Sequence, residues 1–455
     1  MVSNCRKYSE IIKKNNLIYD ITPEKRFFVS GKAAVFGLKD NIASLTPINE
    51  VPDLILPFDM KDLVDIYCGY NVVYFITNTD IYSSHISDVV NSGRITKDLP
   101  NIPLCSQNKF FFDKIILPNT ISLSPSVYIK KITTGTDHTM ILLNNGILIC
   151  FGANSYGQLG IGNNENVINL PVIVDPKLFN GKKIIDVSCG YYHTIVLSED
   201  RIAYSTGRNN SFQIGAPNNN SNDNDKNINC LHRFTKINVV FSTNEETIVK
   251  IITSSHNSCI LTNKGILYGT GGNEFTTLGS KIYNTFTPIE PFYSLKNYVK
   301  DIWCTTLGSF VKLNNDEIYM SGRDSDGSLF NEPISNISEY TKNIYLSRKN
   351  IQNMRGLYSI LAVDENLYMS GNNACKQIVD NNNHLYVNYK NEKISKIIKM
   401  NSHLNINIQG GFRICSLSLT KKNGFTKNIC ELYSNLFSSI FGDKNTHSDI
   451  SFRFN

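Results

Sequence analysis

The chain predicts an all-β fold: a seven-bladed β-propeller closed by an N-terminal strand. Three observations carry this. A two-strand unit recurs at intervals of 44 to 66 residues, and a period in that range marks supersecondary units that bury their apolar faces only by stacking on one another. Five of the units are followed by a third apolar strand ending in glycine, and a sixth such strand stands upstream of the first unit. The two ends of the chain carry complementary halves of a unit.

In chain order, residues 1–25 form a lead segment that opens Met1-Val-Ser-Asn-Cys-Arg-Lys7, without an apolar signal core. Arg26 to Gly37 holds Ala33-Ala-Val-Phe-Gly37, a strand and glycine with no unit before it. Two-strand units then start near Leu63, Ile129, Ile184, Ile248, Val299, Asn350 and Ile394. The reference copy has an apolar run from Ile184, the pair Cys189-Gly190, and a second apolar run opened by His193. The copy at Leu63 keeps Cys68-Gly69, and that at Ile129 keeps Thr134-Gly135 and His138. The copy at Val299 keeps Cys304 but has Thr305 for glycine, and those at Asn350 and Ile394 are the weakest.

The third strands end at Gly152, Gly207, Gly271, Gly322 and Gly371, while the first unit has His85 there. Glycine at one register in six strands, Gly37 included, predicts a repeated backbone geometry that a side chain would obstruct. Asn145-Gly146 and Lys264-Gly265 supply hairpin turns. Asn154, Asn209, Asn273 and Asn373 follow the glycine by two, where Asn can hydrogen-bond the next turn of backbone. No long helical periodicity interrupts the pattern. The last unit, Ile394 to Leu419, lacks the loop that should follow it. Pairing Ala33–Phe36 with Arg413–Leu417 would complete that blade and remove two open sheet edges. The count is seven blades over residues 26–420, with six or an irregular eight as the neighbouring counts, and residues 421–455 form a tail.

Two insertions interrupt the repeat. Ser83 to Pro125 carries Phe110-Phe-Phe112, read as a buried strand core, and Ala216 to Thr247 begins with a low-complexity stretch to Asn229. Loops on a rigid scaffold are where binding concentrates, so these are the candidate contact elements.

Composition excludes several classes. The net charge is +6, with lysine pairs isolated from one another and no block of like charges, which argues against a nucleic-acid tail. No run approaches the roughly 20 apolar residues that span a bilayer. The eleven cysteines form no Cys-x-x-Cys pair and no cluster at zinc spacing. Cys68, Cys189 and Cys304 share a repeat position, as small buried apolar residues would. A reducing intracellular setting, cytoplasmic or nuclear and not secreted, follows. Gly269-Thr-Gly271-Gly272 falls on the repeat glycine and is no phosphate loop. His138, His193 and His403 share one register, taken elsewhere by Asn257, Gly308 and about Tyr358, which reads as structural. Trp303 reads as core. No catalytic, cofactor-binding or metal-ligating residue is expected.

The motif Gly152, Asn154, Gly157-Gln158-Leu159-Gly160 with Gly162, joined to Cys189, Gly190 and His193, resembles the regulator of chromosome condensation repeat family. Gln213-Ile-Gly215, Thr277-Leu-Gly279, Gly327-Ser-Leu329 and Gln377-Ile378 are eroded forms of its loop. The resemblance implies a seven-bladed propeller. It further implies either exchange activity on a Ran-like small GTPase, as in founding members, or a protein-interaction platform, as in many relatives. No segment matches an exchange wedge, so a non-enzymatic scaffold or adaptor with a protein partner is the expectation. Asn428 to Phe441, with Ile429, Leu432, Leu436, Phe437, Ile440 and Phe441 on one helical stripe, followed by His447-Ser-Asp-Ile-Ser-Phe-Arg-Phe454, resembles the opening of a BTB/POZ domain. That resemblance implies recruitment of a cullin ubiquitin ligase if the domain is completed.

Overall fold

In the computed structural model, residues 27–421 are described apart from 32–40, 52, 71, 86–111, 164, 216–229, 273–275, 296–297, 325–328, 331–335, 348, 357–358, 373–385, 391, 401–403 and 411–413. They form seven four-stranded antiparallel sheets, the blades of a β-propeller. The inner strands of blades 1 to 7 are Leu63–Cys68, Ile129–Thr134, Ile184–Cys189, Ile248–Thr253, Val299–Cys304, Asn353–Gly356 and Leu404–Gly410.

The second strand of each blade has neighbours on both faces, so its sequence cannot alternate. His138–Leu143, His193–Ser198, Asn257–Thr262 and Gly308–Leu313 are buried at every position. Successive side chains serve opposite junctions. Met140 and Leu142 join the core shared with blade 3, whereas Ile141 and Leu143 join that shared with blade 1. Apolar clusters of this kind fill all seven junctions. Trp303 lies in the one between blades 5 and 6.

Closure mixes the two ends of the chain. Blade 7 takes its inner strands from Leu404–Gly410 and Ile414–Lys421 and its outer strands from Phe27–Gly31 and Ile42–Pro47. The expected closing strand, Ala33–Phe36 with Gly37, lies outside the described residues. The strand that pairs with Ile414–Ser418 is Phe27-Phe-Val-Ser-Gly31, an earlier copy of the same apolar-then-glycine pattern. Its Phe28 enters the core with blade 6, and Phe27 and Val29 that with blade 1.

Other expectations need correcting. The seventh unit does not begin at Ile394, because Glu392–Met400 is an α-helix. Ile394, Ile397 and Ile398 recur at helical spacing, and Ile394 and Ile398 pack on Leu361, Leu367 and Leu417. The sixth inner strand starts at Asn353 rather than Asn350. Gly371 pairs with Ser359, so Ser359 and not Tyr358 holds the histidine register in blade 6, and in blade 7 Gly31 pairs with Ile414, so His403, which precedes the inner strand, does not hold it. Neither insertion is wholly a loop. Phe112–Lys114 and Cys230–Lys236 are the outer strands of blades 1 and 3. The tail segments Asn428–Phe441 and His447–Phe454 also lie outside the described residues.

Candidate protein-interaction face

Antiparallel order puts the turns between inner and second strands at the same end as the connections between third and outer strands. We call this end the motif face. The opposite end, the hairpin face, carries the second-to-third hairpins and the links between blades.

The repeat glycines answer to close backbone approach. Gly152, Gly207, Gly271, Gly322 and Gly371 have φ between +104° and +142°. A Cβ on Gly152 or Gly207 would lie 2.5 Å from the carbonyl oxygen of Asp137 or Tyr192. Gly37 lies outside the described residues. Two residues further on, Asn154 Oδ1 accepts the Leu159 N–H at 3.2 Å and Asn209 Oδ1 that of Ile214 at 3.3 Å. In blade 5 the same clamp is Asp324, whose Oδ1 accepts the Leu329 N–H at 2.8 Å. Sequence reasoning missed Asp324, although its place two residues after Gly322 is the signal. Gln158 Oε1 accepts the Tyr156 N–H. Gly157 and Gly160 turn the loop at φ +73° and +69°, against His232 and Phe234, and Leu159 is fully buried.

Histidine fastens that loop to the next blade. Thr194 Oγ1 donates to the Gln158 carbonyl at 2.7 Å and lies 3.0 Å from His138 Nε2. A hydroxyl has one proton to give, so His138 donates from Nε2. His193, Ser258 and the Gln213 carbonyl repeat this at 3.0 Å and 2.6 Å. Burial pushes both imidazoles down to about 3. The paired glycine exists because the ring needs its space: a Cβ on Gly190 would lie 2.0 Å from His193 Cε1. In blade 5 the two are exchanged, Thr305 standing at the glycine position and Gly308 at the histidine position, with the Thr305 hydroxyl donating to the Gly308 carbonyl at 3.1 Å. Cys189 Sγ packs against the Thr133 carbonyl, and burial pushes its thiol up to about 12, away from nucleophilic use. These residues are joints between blades.

What the motif face presents to solvent is different. Tyr70 of blade 1, Tyr156 of blade 2, Tyr191 and Tyr192 of blade 3 and His256 of blade 4 form one aromatic group. Tyr191 lies 6.0 Å from Tyr70, 6.2 Å from Tyr192 and 5.3 Å from His256, and Tyr192 lies 5.3 Å from Tyr156, all between ring centroids. The Arg208 guanidinium stands over the Tyr156 and Tyr192 rings at 5.1 and 5.6 Å. A shallow cavity beside them at the axis is lined by Tyr70, Gly135, Tyr191, Ser255 and Thr306. Deeper in the channel, the third inner-strand position pairs Lys131 with Asp186 at 2.7 Å and Lys250 with Asp301 at 2.5 Å. Sequence reading singled out the loops and the repeat motif, and it missed the aromatic group, whose four tyrosines come from three blades and whose histidine comes from a fourth.

Among the described residues no group of three or more His, Cys, Asp or Glu could hold a metal ion, and no helix is long and apolar enough to cross a membrane.

Comparison with known proteins bears on the same blades. The family described as Regulator of chromosome condensation (RCC1) repeat matches residues 145–197, and a second profile of that description matches 129–158 and 184–213. Blades 2 and 3 therefore carry these repeats. An RCC1 repeat-containing protein of Dictyostelium discoideum is 32% identical over 152 residues, 33% of this chain and 30% of its own length. The guanine nucleotide exchange factor SRM1 of Saccharomyces cerevisiae is 28% identical over 160 residues, 33% of this chain and 32% of its own. The matches thus span about a third of each relative. Among solved structures, human WBSCR16 superposes with a TM-score of 0.61 at 16% identity, covering 88% of this chain and 99% of that one. Prp20p of Saccharomyces cerevisiae, described with its binding to Gsp1p and histones, superposes at 0.59 with 15% identity, covering 93% and 98%. At those identities the structures speak for the fold.

Proposed function

We propose that this chain is a non-catalytic interaction platform that binds a protein partner through the motif face of blades 1 to 3. The observation that carries the reading is the tyrosine group with Arg208 laid over two of its rings. Tyrosine and arginine are the residues that most often anchor protein interfaces, because each offers a large apolar area together with a hydrogen-bonding tip. The repeat motif itself is consumed in holding blades together, so it leaves no group for chemistry. An intracellular setting belongs to the same proposal. Recruitment of a cullin ubiquitin ligase would rest on residues 428–455 and forms no part of it.

A second reading, exchange activity on a Ran-like small GTPase, is favoured by one observation, the likeness of a 160-residue stretch to an exchange factor. A single assay separates the two. The purified chain is added in catalytic amounts to a Ran-family GTPase loaded with fluorescent nucleotide. Unchanged release supports the platform reading, and accelerated release rejects it. The face is tested by proximity labelling in cells: Tyr192→Ala with Arg208→Glu removes the partners recovered with the unaltered chain, whereas Lys264→Glu on the hairpin face leaves them. Partners recovered unchanged with the first variant would move the site elsewhere.

A further inference from the structure

Among the described residues three cations stand over aromatic rings, and two of them spend their donors at home. Lys250, over Trp303, pairs with Asp301 and donates to the Ile302 carbonyl at 2.7 Å. Lys349, over Tyr345, donates to the Tyr345 carbonyl at 2.7 Å. Arg208 differs. Its side chain is half-buried, its guanidinium stands over both Tyr156 and Tyr192, and among the described residues no carboxylate or carbonyl oxygen accepts from it. A guanidinium carries five N–H donors. Drawing them part-way out of water with no acceptor costs free energy that an incoming acceptor would restore. The two rings hold the charge in place beforehand, so little freedom is left to lose when that acceptor arrives.

The surroundings select the acceptor. Arg208 ends the third strand of blade 3, directly after the repeat glycine. Blades 2, 4, 5 and 6 hold Ala153, Gly272, Arg323 and Asn372 at that position, and no acid. Across the strand pair stands Cys230, whose thiol burial pushes up and so keeps uncharged. No second cation stands over the Tyr156 and Tyr192 rings among the described residues. One cation balances one negative charge, and the guanidinium fork matches the two oxygens of a carboxylate. A phosphate, with up to two charges, would call for a second cation.

We propose that Arg208 receives a carboxylate of the protein partner, the side chain of an aspartate or glutamate in an acidic segment, at the edge of the Tyr156–Tyr192 pair. This rests on the platform reading and adds the chemistry of the partner: an acidic segment anchored on the motif face of blades 2 and 3.

The test lays the purified full chain on an array of peptides rich in aspartate and glutamate. Each is printed beside its amide counterpart, with asparagine and glutamine, and beside a phosphoserine counterpart. Binding to the acidic peptides and loss with the amides are expected, and that arm uses the unaltered chain, so it depends on no variant folding. Arg208→Lys keeps the charge but not the fork and should weaken binding about tenfold, Arg208→Glu should abolish it, and Lys264→Glu should leave it unchanged. No binding to the acidic peptides, equal binding to the amides, a preference for phosphoserine, or full binding by Arg208→Lys overturns the proposal. The platform reading is tested apart from it, by the partners recovered in cells. Partners lost with Tyr192→Ala but kept with Arg208→Lys would sink the carboxylate and leave the platform standing. Partners kept with Tyr192→Ala would sink the platform, whatever the peptides do.

Discussion

Gly190 and His193 show how little freedom the repeat motif has. The glycine must lack a Cβ because the imidazole fills that space, and the Ser254 carbonyl oxygen would stand 2.6 Å from the new atom. Gly190→Ala should therefore cost about 3 kcal/mol, since backbone as well as ring must move. Gly181→Ala, where nothing lies within 4 Å and only the φ of +72° resists, should cost about 1 kcal/mol. Urea unfolding of the two variants checks the order, and equal losses would show that the ring yields. The imidazoles also set a pH dependence. His138 and His193 titrate near 3 when folded and near 6.5 when unfolded. The unfolded chain takes up protons first, so stability present above 6.5 is lost as pH falls. Between pH 6.5 and 5, before carboxylates intervene, each histidine should remove roughly 1 kcal/mol per pH unit, steepening toward about 1.4 at the acid end. His138→Gln with His193→Gln should flatten that slope in urea midpoints.

The third position of the inner strand gives the same test three ways. Asp186 and Asp301 each meet a lysine from the preceding blade. Asp65 meets Asn407 Nδ2 at 2.7 Å and the Ser418 hydroxyl, with no ion pair to a lysine or arginine among the described residues, and burial holds its carboxyl above the usual range. A raised carboxyl favours the fold when protonated and opposes it as pH rises through its folded pKa. Asp65→Asn should thus be neutral or stabilising by about 1 kcal/mol at pH 7, whereas Asp186→Asn, which strands Lys131, should destabilise by about 1–2 kcal/mol. Thermal midpoints at pH 7 check the opposite signs, and two losses of equal size would mean that Asp65 is held like its counterparts. Elements of this kind were legible in the sequence where period and chemistry agree. The first five inner strands begin at Leu63, Ile129, Ile184, Ile248 and Val299, as the repeat spacing says. The spacing misled where two periods fit one segment: Ile394, Ile397 and Ile398 satisfy a helix as well as an apolar strand, and Phe27–Gly31 and Ala33–Gly37 both satisfy strand-then-glycine. Asp324 went unread because an acid stood where asparagine was sought.

At the scale of the whole molecule, the seven separate junction cores make every blade depend on its two neighbours alone. The blade count is then legible from local repeats, while the candidate face is not, since Tyr70, Tyr156, Tyr191 and His256 meet only once blades 1 to 4 stand side by side. Closure itself is a matter of adjacency. Phe27 pairs with Ser418 on neighbouring strands, so the two ends of the described propeller lie side by side at the hairpin face. The break in blade 7 is equivalent to an opened second-to-third hairpin, and intact copies of that hairpin, such as Ser198 to Ala203, connect the same two strand positions in other blades. Moving the break should therefore cost little. A circular permutant that joins Lys421 to Phe27 through a short glycine-rich turn, and opens between Asn145 and Gly146, exchanges one hairpin for another and disturbs no junction core. It should retain the two-state midpoint of an unpermuted chain of residues 27–421 to within about 1 kcal/mol. Opening instead after Ile195, inside a second strand buried on both faces, should abolish cooperative unfolding, because that strand serves the cores with blades 2 and 4 at once. Far-UV circular dichroism and urea titration of the two permutants decide it. A hairpin permutant as disrupted as the strand permutant would show that blade 7 depends on the order in which its halves are made.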